Sequence, residues 1–224
     1  PLMEIVTEPD LHSAREAKLF LQQLQQLVRY LGVAEADMEK GQMRCEPNVN
    51  LEIQESGKSY YTPITEIKNI NSFRFVKQAL EYEIKRQLEE FEKTGIEKNT
   101  GNKTTVGYNE DKRITVLQRS KEEANDYRYF PEPDIPPMRF AQNQISNIKN
   151  QIGELPDEKL IRFIKQYGLS EYDANILCDS REVAEYYEKA VSVKDTSEVA
   201  RRGSSDGGGN SITPKIIANW IINK

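Results

Sequence analysis

Arg44, Glu46, Asn48 and Asn50 recur at every second position, the spacing that puts side chains on one face of a β-strand. Cys45, Val49, Leu51 and Ile53 alternate with them toward the other face. Glu66 and Lys68, two residues apart, belong together on a neighbouring strand. Asparagine is a poor strand former, so its repetition beside Arg and Glu calls for a reason. One reason is a cleft that presents amides and carboxylates to a ligand; the other reading is a solvated strand face. Carboxylates set among Lys and Arg are what Mg-nucleotide chemistry requires. Oxygen ligands hold the cation, and basic side chains offset phosphate charge. Glu4, Glu8, Asp10, Glu46 and Glu66 are the candidate ligands, and Arg44, Lys68, Arg119 and Arg128 the candidate phosphate partners.

Other chemistries find little support. The sequence has no GxxxxGK[ST] loop, no GxGxxG loop and no HExxH helix. His12 is the only histidine, beside Ser13 at a helix start, so it reads as a surface or capping residue. No Ser/His/Asp or Cys/His triad and no structural zinc site can be assembled around it. Cys45 and Cys178 are distant in sequence and neither forms a CxxC pair, so a disulfide is not expected.

The elements that must position these residues follow from periodicity. Residues 1–10 read as extended, in the middle of a strand, with native sequence expected upstream because no Met stands at position 1. Ser13 to Glu16 has the form of a capping box, and Phe20, Leu24, Leu27, Val28 and Leu31 then recur at helical spacing up to Gly32. Residues 43–53 form a strand, Ser56-Gly57-Lys58 a turn, and Tyr60 to Asn69 a returning strand with Pro63 at an edge or bulge. Asn71 or Ser72 caps a second helix with the stripe Phe73, Val76, Leu80, Ile84, Leu88 and Phe91, ended by Gly95. Residues 96–112 read as polar and turn-rich, and Ile114, Val116 and Leu117 as a short strand. Asp126 to Asp134 is an ordered loop or short strand.

Past residue 140 the pattern changes to short helices. Pro156 starts one that Gly168 follows, Ser170 and Ser180 are N-caps, and Thr213-Pro214 opens the last, with Trp220. Arg201 to Ser211 is low in complexity and is expected to be mobile. The expected architecture is α+β: a domain at 1–140 with a mixed or antiparallel sheet and helices, then a small helical domain at 141–224.

The 224 residues include 37% apolar and 30% charged types, a water-soluble globular composition, and no apolar run is long enough for a membrane span. The N-terminus lacks a signal peptide's basic and apolar stretches, so a reducing compartment is expected, the cytoplasm or an organelle matrix. Net charge is −5, carried by the first part, while Arg139 onward balances 12 basic against 12 acidic residues. That balance argues against a chain that grips RNA alone, though not against an enzyme touching it through a local patch.

Several long motifs, in order, carry a family resemblance: Pro1 to Asp10 (PLMEIVTEPD), Tyr30 to Val33, Gly41 to Asn50 (GQMRCEPNVN), Thr65 to Phe75 (TEIKNINSFRF) and Arg119 to Pro137 (RSKEEANDYRYFPEPDIPP). With Glu154-Leu155-Pro156 and Ala218-Asn219-Trp220, they make the chain resemble the B subunits of the aspartyl/glutamyl-tRNA amidotransferases. The resemblance implies a cradle-shaped catalytic domain that uses ATP and Mg²⁺ to phosphorylate the side-chain carboxylate of a misacylated residue. Ammonia released by the A subunit, a glutamine amidase, then attacks. A small C subunit completes the complex, and the helical domain and a further tail engage tRNA.

Carried over by motif, Glu4 is the implied Mg²⁺ ligand. Glu46, Asn48, Glu66 and Lys68 line the cradle with catalytic roles, and Arg44, Asn69, Asn71, Arg119, Asp126 and Arg128 contact substrate or phosphate. For Arg119, Asp126 and Arg128 an ion-pair network holding the loop is the other reading. The chain departs from the family pattern at Glu46-Pro47-Asn48, where Asp-Ala-Asn is usual, at Ile64, where a basic residue is usual, and at Thr104-Thr105-Val106, where Glu-Thr-Arg is usual. The family's opening segment would lie before residue 1 and its tail domain after residue 224, so the isolated segment is expected to be inactive. Two alternatives stay open: the related archaeal glutamate-specific amidotransferase, and a non-catalytic relative that scaffolds the amidase or binds tRNA.

Overall fold

The computed structural model describes residues 3–121, 134–201 and 212–223, with backbone only at 119–121 and 194–201. They divide into two compact units, one of residues 1–23 and 36–138, the other of 24–35 and 139–224. The architecture is α+β, with seven helices and six strands among the described residues.

The first unit is built on a mixed sheet in the order β1 (Asn48–Val49), β4 (Thr65–Lys68), β5 (Lys103–Asn109), β6 (Ile114–Lys121). A separate antiparallel hairpin pairs β2 (Glu52–Glu55) with β3 (Lys58–Tyr61). Its two-residue turn, Ser56-Gly57, has φ of 51° and 77°, the left-handed pair that matches hairpin twist. The returning strand expected over Tyr60 to Asn69 is therefore two strands. Thr62-Pro63-Ile64 separates them and carries the chain from hairpin to sheet, at a proline that cannot donate to a ladder.

Strands β4 and β5 run parallel, so the chain must cross over between them, and α2 (Phe73–Thr94) makes that crossing. Ser72 caps α2 by accepting from the Phe75 amide, and Gly95, at φ 61°, ends it. Its buried face is Val76, Ala79, Leu80, Glu83 and Gln87. Val76, Ala79 and Leu80 pack on Ile67 of β4 and on Val106 and Tyr108 of β5. The expected stripe ran instead through Leu88, which is exposed. The helix buries a carboxylate and an amide in its place.

Strand β5 corrects the expectation that residues 96–112 form turns. Its sequence, KTTVGYN, is polar, yet Thr104 and Thr105 are good strand formers whose hydroxyls find partners within the sheet. Residues 3–10 are a second correction. They pair with no strand among the described residues, and Met3, Ile5 and Val6 are exposed. The segment 43–47 likewise approaches β1 without ladder bonds of its own, apart from the Ile67 amide donating to Pro47 O at 2.9 Å.

The helix α1 (Ala14–Tyr30) starts at Ser13, whose hydroxyl accepts from the Glu16 amide, and ends at Gly32, with φ 66°. In the second unit, α4 (Pro156–Tyr167), α5 (Glu171–Leu177), α6 (Arg181–Arg201) and α7 (Pro214–Ile222) surround Phe163, Leu177, Ala184, Tyr187 and Ile217. Ser170, Ser180 and Thr213 cap α5, α6 and α7. Tyr30, within 24–35, donates from its hydroxyl to Cys178 O at 2.7 Å. The remaining helix, α3 (Gln142–Gln151), buries no residue. No helix among the described residues is long and apolar enough to cross a membrane. Arg202 to Ser211 and residues 122–133 lie outside the described residues.

Candidate functional site

Strand β4 and the segment leading into β1 bring three charged side chains, Glu46, Glu66 and Lys68, together on the sheet face turned away from α2. Asn48 pairs with Glu66 across β1 and β4, and cross-strand partners share a face. Glu66 and Lys68 share it by the two-residue period of a strand. Lys68 Nζ donates to Glu46 Oε2 at 3.0 Å and lies 3.4 Å from Glu66 Oε1. The alternation expected over 43–53 is seen in the burial up to Val49: Arg44, Glu46 and Asn48 are exposed, while Cys45 and Val49 pack against the core; Asn50 departs from it, half-buried in the break between β1 and β2.

Lys68 is held above its ordinary pKa, first by the hydrogen bond to Glu46 and then by the charge of Glu66, against some desolvation. It stays an ammonium at neutral pH. Burial, with the charge of Glu46 second, pushes the Cys45 thiol up to about 11. It therefore stays protonated beside the site and is unsuited to act as a nucleophile.

Residues missed by the sequence reading complete the face, and all lie in or against β5. Thr105, in register with Glu66, donates from its hydroxyl to Glu66 Oε2 at 3.2 Å. Gly107, in register with Lys68, leaves room for the side chain of Gln118, whose amide fills the space a Cβ would take. Gln118 is the extra residue of a β-bulge: Thr105 pairs with Arg119 and Val106 with Leu117. Reading 96–112 as turns hid these residues, although two adjacent threonines before a valine are a strand signal.

The other expected site residues are more dispersed. Asn69, at φ 61°, ends β4 and donates through Nδ2 to Tyr108 O at 3.2 Å, so part of its amide holds β5. Asn71 is exposed just before the Ser72 cap of α2. Arg44 is exposed in the approach to β1. Glu4 stands in the exposed segment 3–12 with no hydrogen-bond or ion-pair partner among the described residues. Arg119 is placed by register alone, opposite Thr105. Asp126 and Arg128 lie outside the described residues.

No cluster of three or more His, Cys, Asp or Glu that fits a metal cage occurs among the described residues. Glu46 and Glu66 meeting on one ammonium fit a different mode. Mg²⁺ is commonly held by one or two carboxylates, with phosphate oxygens and water completing its shell. The opposite face of the sheet carries a cavity of about 320 Å³ bordered by Thr65, Arg86, Gln87 and Glu90. Its polar groups are committed to one another. Gln87 donates to Val49 O and Thr65 Oγ1 and accepts from Thr62, and Arg86 binds Glu83 and Glu90.

Comparison with known proteins supplies the family. The B subunit of the aspartyl/glutamyl-tRNA(Asn/Gln) amidotransferase of Thermotoga maritima is 44% identical over 223 residues, 99% of this chain and 41% of the relative. The protein so named in Persephonella marina is 45% identical over 224 residues, 100% of this chain and 43% of the relative. That of Treponema denticola is 42% identical over 223 residues. The chain thus spans about two-fifths of the length of these relatives. The GatB/GatE catalytic domain matches residues 1–146, well over half of the sequence and all of the face carrying Glu46, Glu66 and Lys68, and the chain belongs to that family.

Proposed function

We propose that the chain forms part of the component of a tRNA-dependent amidotransferase that activates and amidates a misacylated residue. The observation that carries this reading is the Glu46–Lys68–Glu66 constellation on one sheet face, within the stretch that matches the catalytic family. The substrate class is glutamyl-tRNA(Gln) or aspartyl-tRNA(Asn). A carboxylate is a poor electrophile. Attack of its oxygen on the γ-phosphorus of ATP, with ADP leaving, turns that oxygen into part of a phosphate leaving group. Ammonia then attacks the acyl carbon and inorganic phosphate departs.

Lys68 offsets negative charge on the phosphoryl oxygens, and Glu46 and Glu66 hold the ammonium in place. Glu46 and Glu66, with Glu4 as a further carboxylate, are the residues that would hold Mg²⁺. The ion supplies charge neutralisation for the transferring phosphoryl group when bound. Asn48 offers an exposed amide on the same face, and Arg44, Asn69, Asn71 and Arg119 surround it in sequence and register, suited to phosphate or the acceptor end. Asp126 and Arg128 are assigned to substrate binding from the motif alone.

In this reading the partners are a glutamine amidase (the A subunit), which releases the ammonia, a small C subunit, and the misacylated tRNA. The compartment is the bacterial cytoplasm or an organelle matrix. The domain boundary lies near residue 140, with the helical part directed to tRNA.

The test is co-expression of the full-length protein with candidate partner subunits. Conversion of radiolabelled glutamyl-tRNA(Gln) and aspartyl-tRNA(Asn) is then followed with glutamine, ATP and Mg²⁺. Labelled glutamine or asparagine on tRNA supports the reading and names the substrate. A stable complex that forms neither product refutes it in favour of a scaffold, with Glu46, Ile64 and Val106 as the departures that account for the loss.

A further inference from the structure

We propose that Thr105 is a positioning residue for the Glu66 carboxylate, an inference that rests on the functional reading of Glu66 above. Thr105 is 1% exposed, so its hydroxyl has little access to water. That hydroxyl has one proton, and it is directed to Glu66 Oε2 at 3.2 Å. The other oxygen, Oε1, faces Lys68 Nζ at 3.4 Å. Two different partners, one on each oxygen, fix the rotation of the carboxylate plane as well as its position.

The backbone supports the arrangement. Thr105 and Glu66 are in register across a parallel pair, where evenly spaced bonds hold the two strands. The register between β5 and β6 shifts immediately after Thr105, so this residue is the last one before the bulge. The bulge re-aims the neighbouring strand without disturbing the pairing of Thr105 with β4. Thr105 sends its hydroxyl to the charged face while Thr104, beside it, bonds Thr65 at 3.1 Å. The two threonines thus have different duties: Thr104 links β5 to β4, and Thr105 orients a charged group. Without the hydroxyl, Oε2 loses the partner that β5 supplies, and Glu66 is expected to lose the orientation that the substrate meets.

The experiment compares Thr105→Ser with Thr105→Ala in the full-length protein within its assembled complex. Both lose the methyl group, and only serine keeps the hydroxyl. Thr105→Val is the third variant, keeping the shape without the donor, and Glu66→Gln is the control. The readouts are kcat and KM for ATP and for the misacylated tRNA, melting temperature, and crystal structures of the serine and alanine variants.

The expected result is a fall in kcat of about tenfold or more for alanine and valine, with serine within about threefold of the parent, because an oriented charged group acts mainly in the transition state. KM and melting temperature should change alike in serine and alanine. The Glu66 carboxylate should keep its parental orientation in the serine structure and rotate in the alanine one. Equal kcat for serine and alanine, or an unmoved carboxylate in both structures, overturns the proposal. Parental activity in Glu66→Gln overturns it for a different reason, since the functional reading of Glu66 then fails whatever Thr105 does.

Discussion

Lys68 Nζ donates to Glu46 Oε2 at 3.0 Å, joining the segment ahead of β1 to β4 through an ammonium that Glu66 also approaches. The Glu46 side chain is 49% exposed and that of Lys68 33%. Ion pairs this accessible contribute about 0–1 kcal/mol to stability. The fold therefore has little need of the pair. Its value lies in holding a cation at a fixed place on a polar face.

Replacing Lys68 by methionine separates those two roles. The melting temperature of Lys68→Met should fall modestly, in keeping with a loss of about 1–3 kcal/mol, because the exposed pair with Glu46 contributes little while Glu66, 13% exposed, loses a cation but keeps the Thr105 hydroxyl. Amidation by the assembled complex should fall on the order of 100-fold, as when a charge-stabilising donor is removed from a transition state. Thermal unfolding and single-turnover conversion of misacylated tRNA measure the two. A large melting shift with unchanged conversion would assign Lys68 to the fold instead.

Glu83 presents the opposite case. It is fully buried on α2, binds Arg86, and accepts from Thr115 Oγ1 at 2.8 Å and from Gln87 Nε2 at 3.2 Å. Removing one member of a buried ion pair strands its partner, at a cost of about 3–5 kcal/mol. Arg86 is 34% exposed and keeps Glu90, so Glu83→Ala should sit near the lower end. Urea unfolding should show that loss as a lower midpoint. A midpoint within error of the parent would mean that the network relaxes around the gap.

What the sequence made legible was local. The caps at Ser72, Ser170, Ser180 and Thr213, and the glycine stops at 32, 95 and 168, depend on side chains within a turn of the backbone they serve. The pairing of Glu66 with Lys68 on one face needed only the period of a strand. Strand β5 was only faintly legible: its two threonines before a valine are a strand signal, but the partners that fix them, Glu66 and Thr65, lie 39 residues away. Glu83 and Gln87 were passed over for a related reason. Polar residues at helical core spacing look like solvent-facing ones until their partners on Thr62, Thr65 and Thr115 are known. Gln118 faces Gly107 through a bulge, and register shifts leave no mark in a single sequence.

Acid should weaken the second unit through Glu154. Its carboxylate is held below the ordinary range, first by the hydrogen bonds from Arg162 and also by Lys159, at 3.4 Å. The native state therefore binds its proton less readily than the unfolded chain does, so stability from this group is complete above the ordinary carboxylate pKa. It drains away as pH falls through the lower native value. Melting temperature followed from pH 7 downward should drop more steeply in the parent than in Glu154→Gln, which has no such proton to take up. Parallel curves would show that the ion pairs of Arg162 and Lys159 with Glu188 carry the acid sensitivity without Glu154.

Gly107 offers a way to move the Gln118 amide without cutting it off. A Cβ at position 107 would meet the Nε2 of Gln118, the far end of a flexible side chain, with the backbone left clear. The amide should therefore give way, and Gly107→Ala should cost no more than the low end of the usual overpacking range, about 1 kcal/mol. In the background of Gln118→Ala the obstacle is gone, and the same substitution should cost less or become stabilising. The two changes are then non-additive, with a coupling of about 0.5–1 kcal/mol, as for residues in contact. Chemical unfolding of the parent, both single variants and the double variant measures it. A coupling of zero would mean that Gln118 does not rest on Gly107 in solution, and the bulge would then have some other occupant for that face.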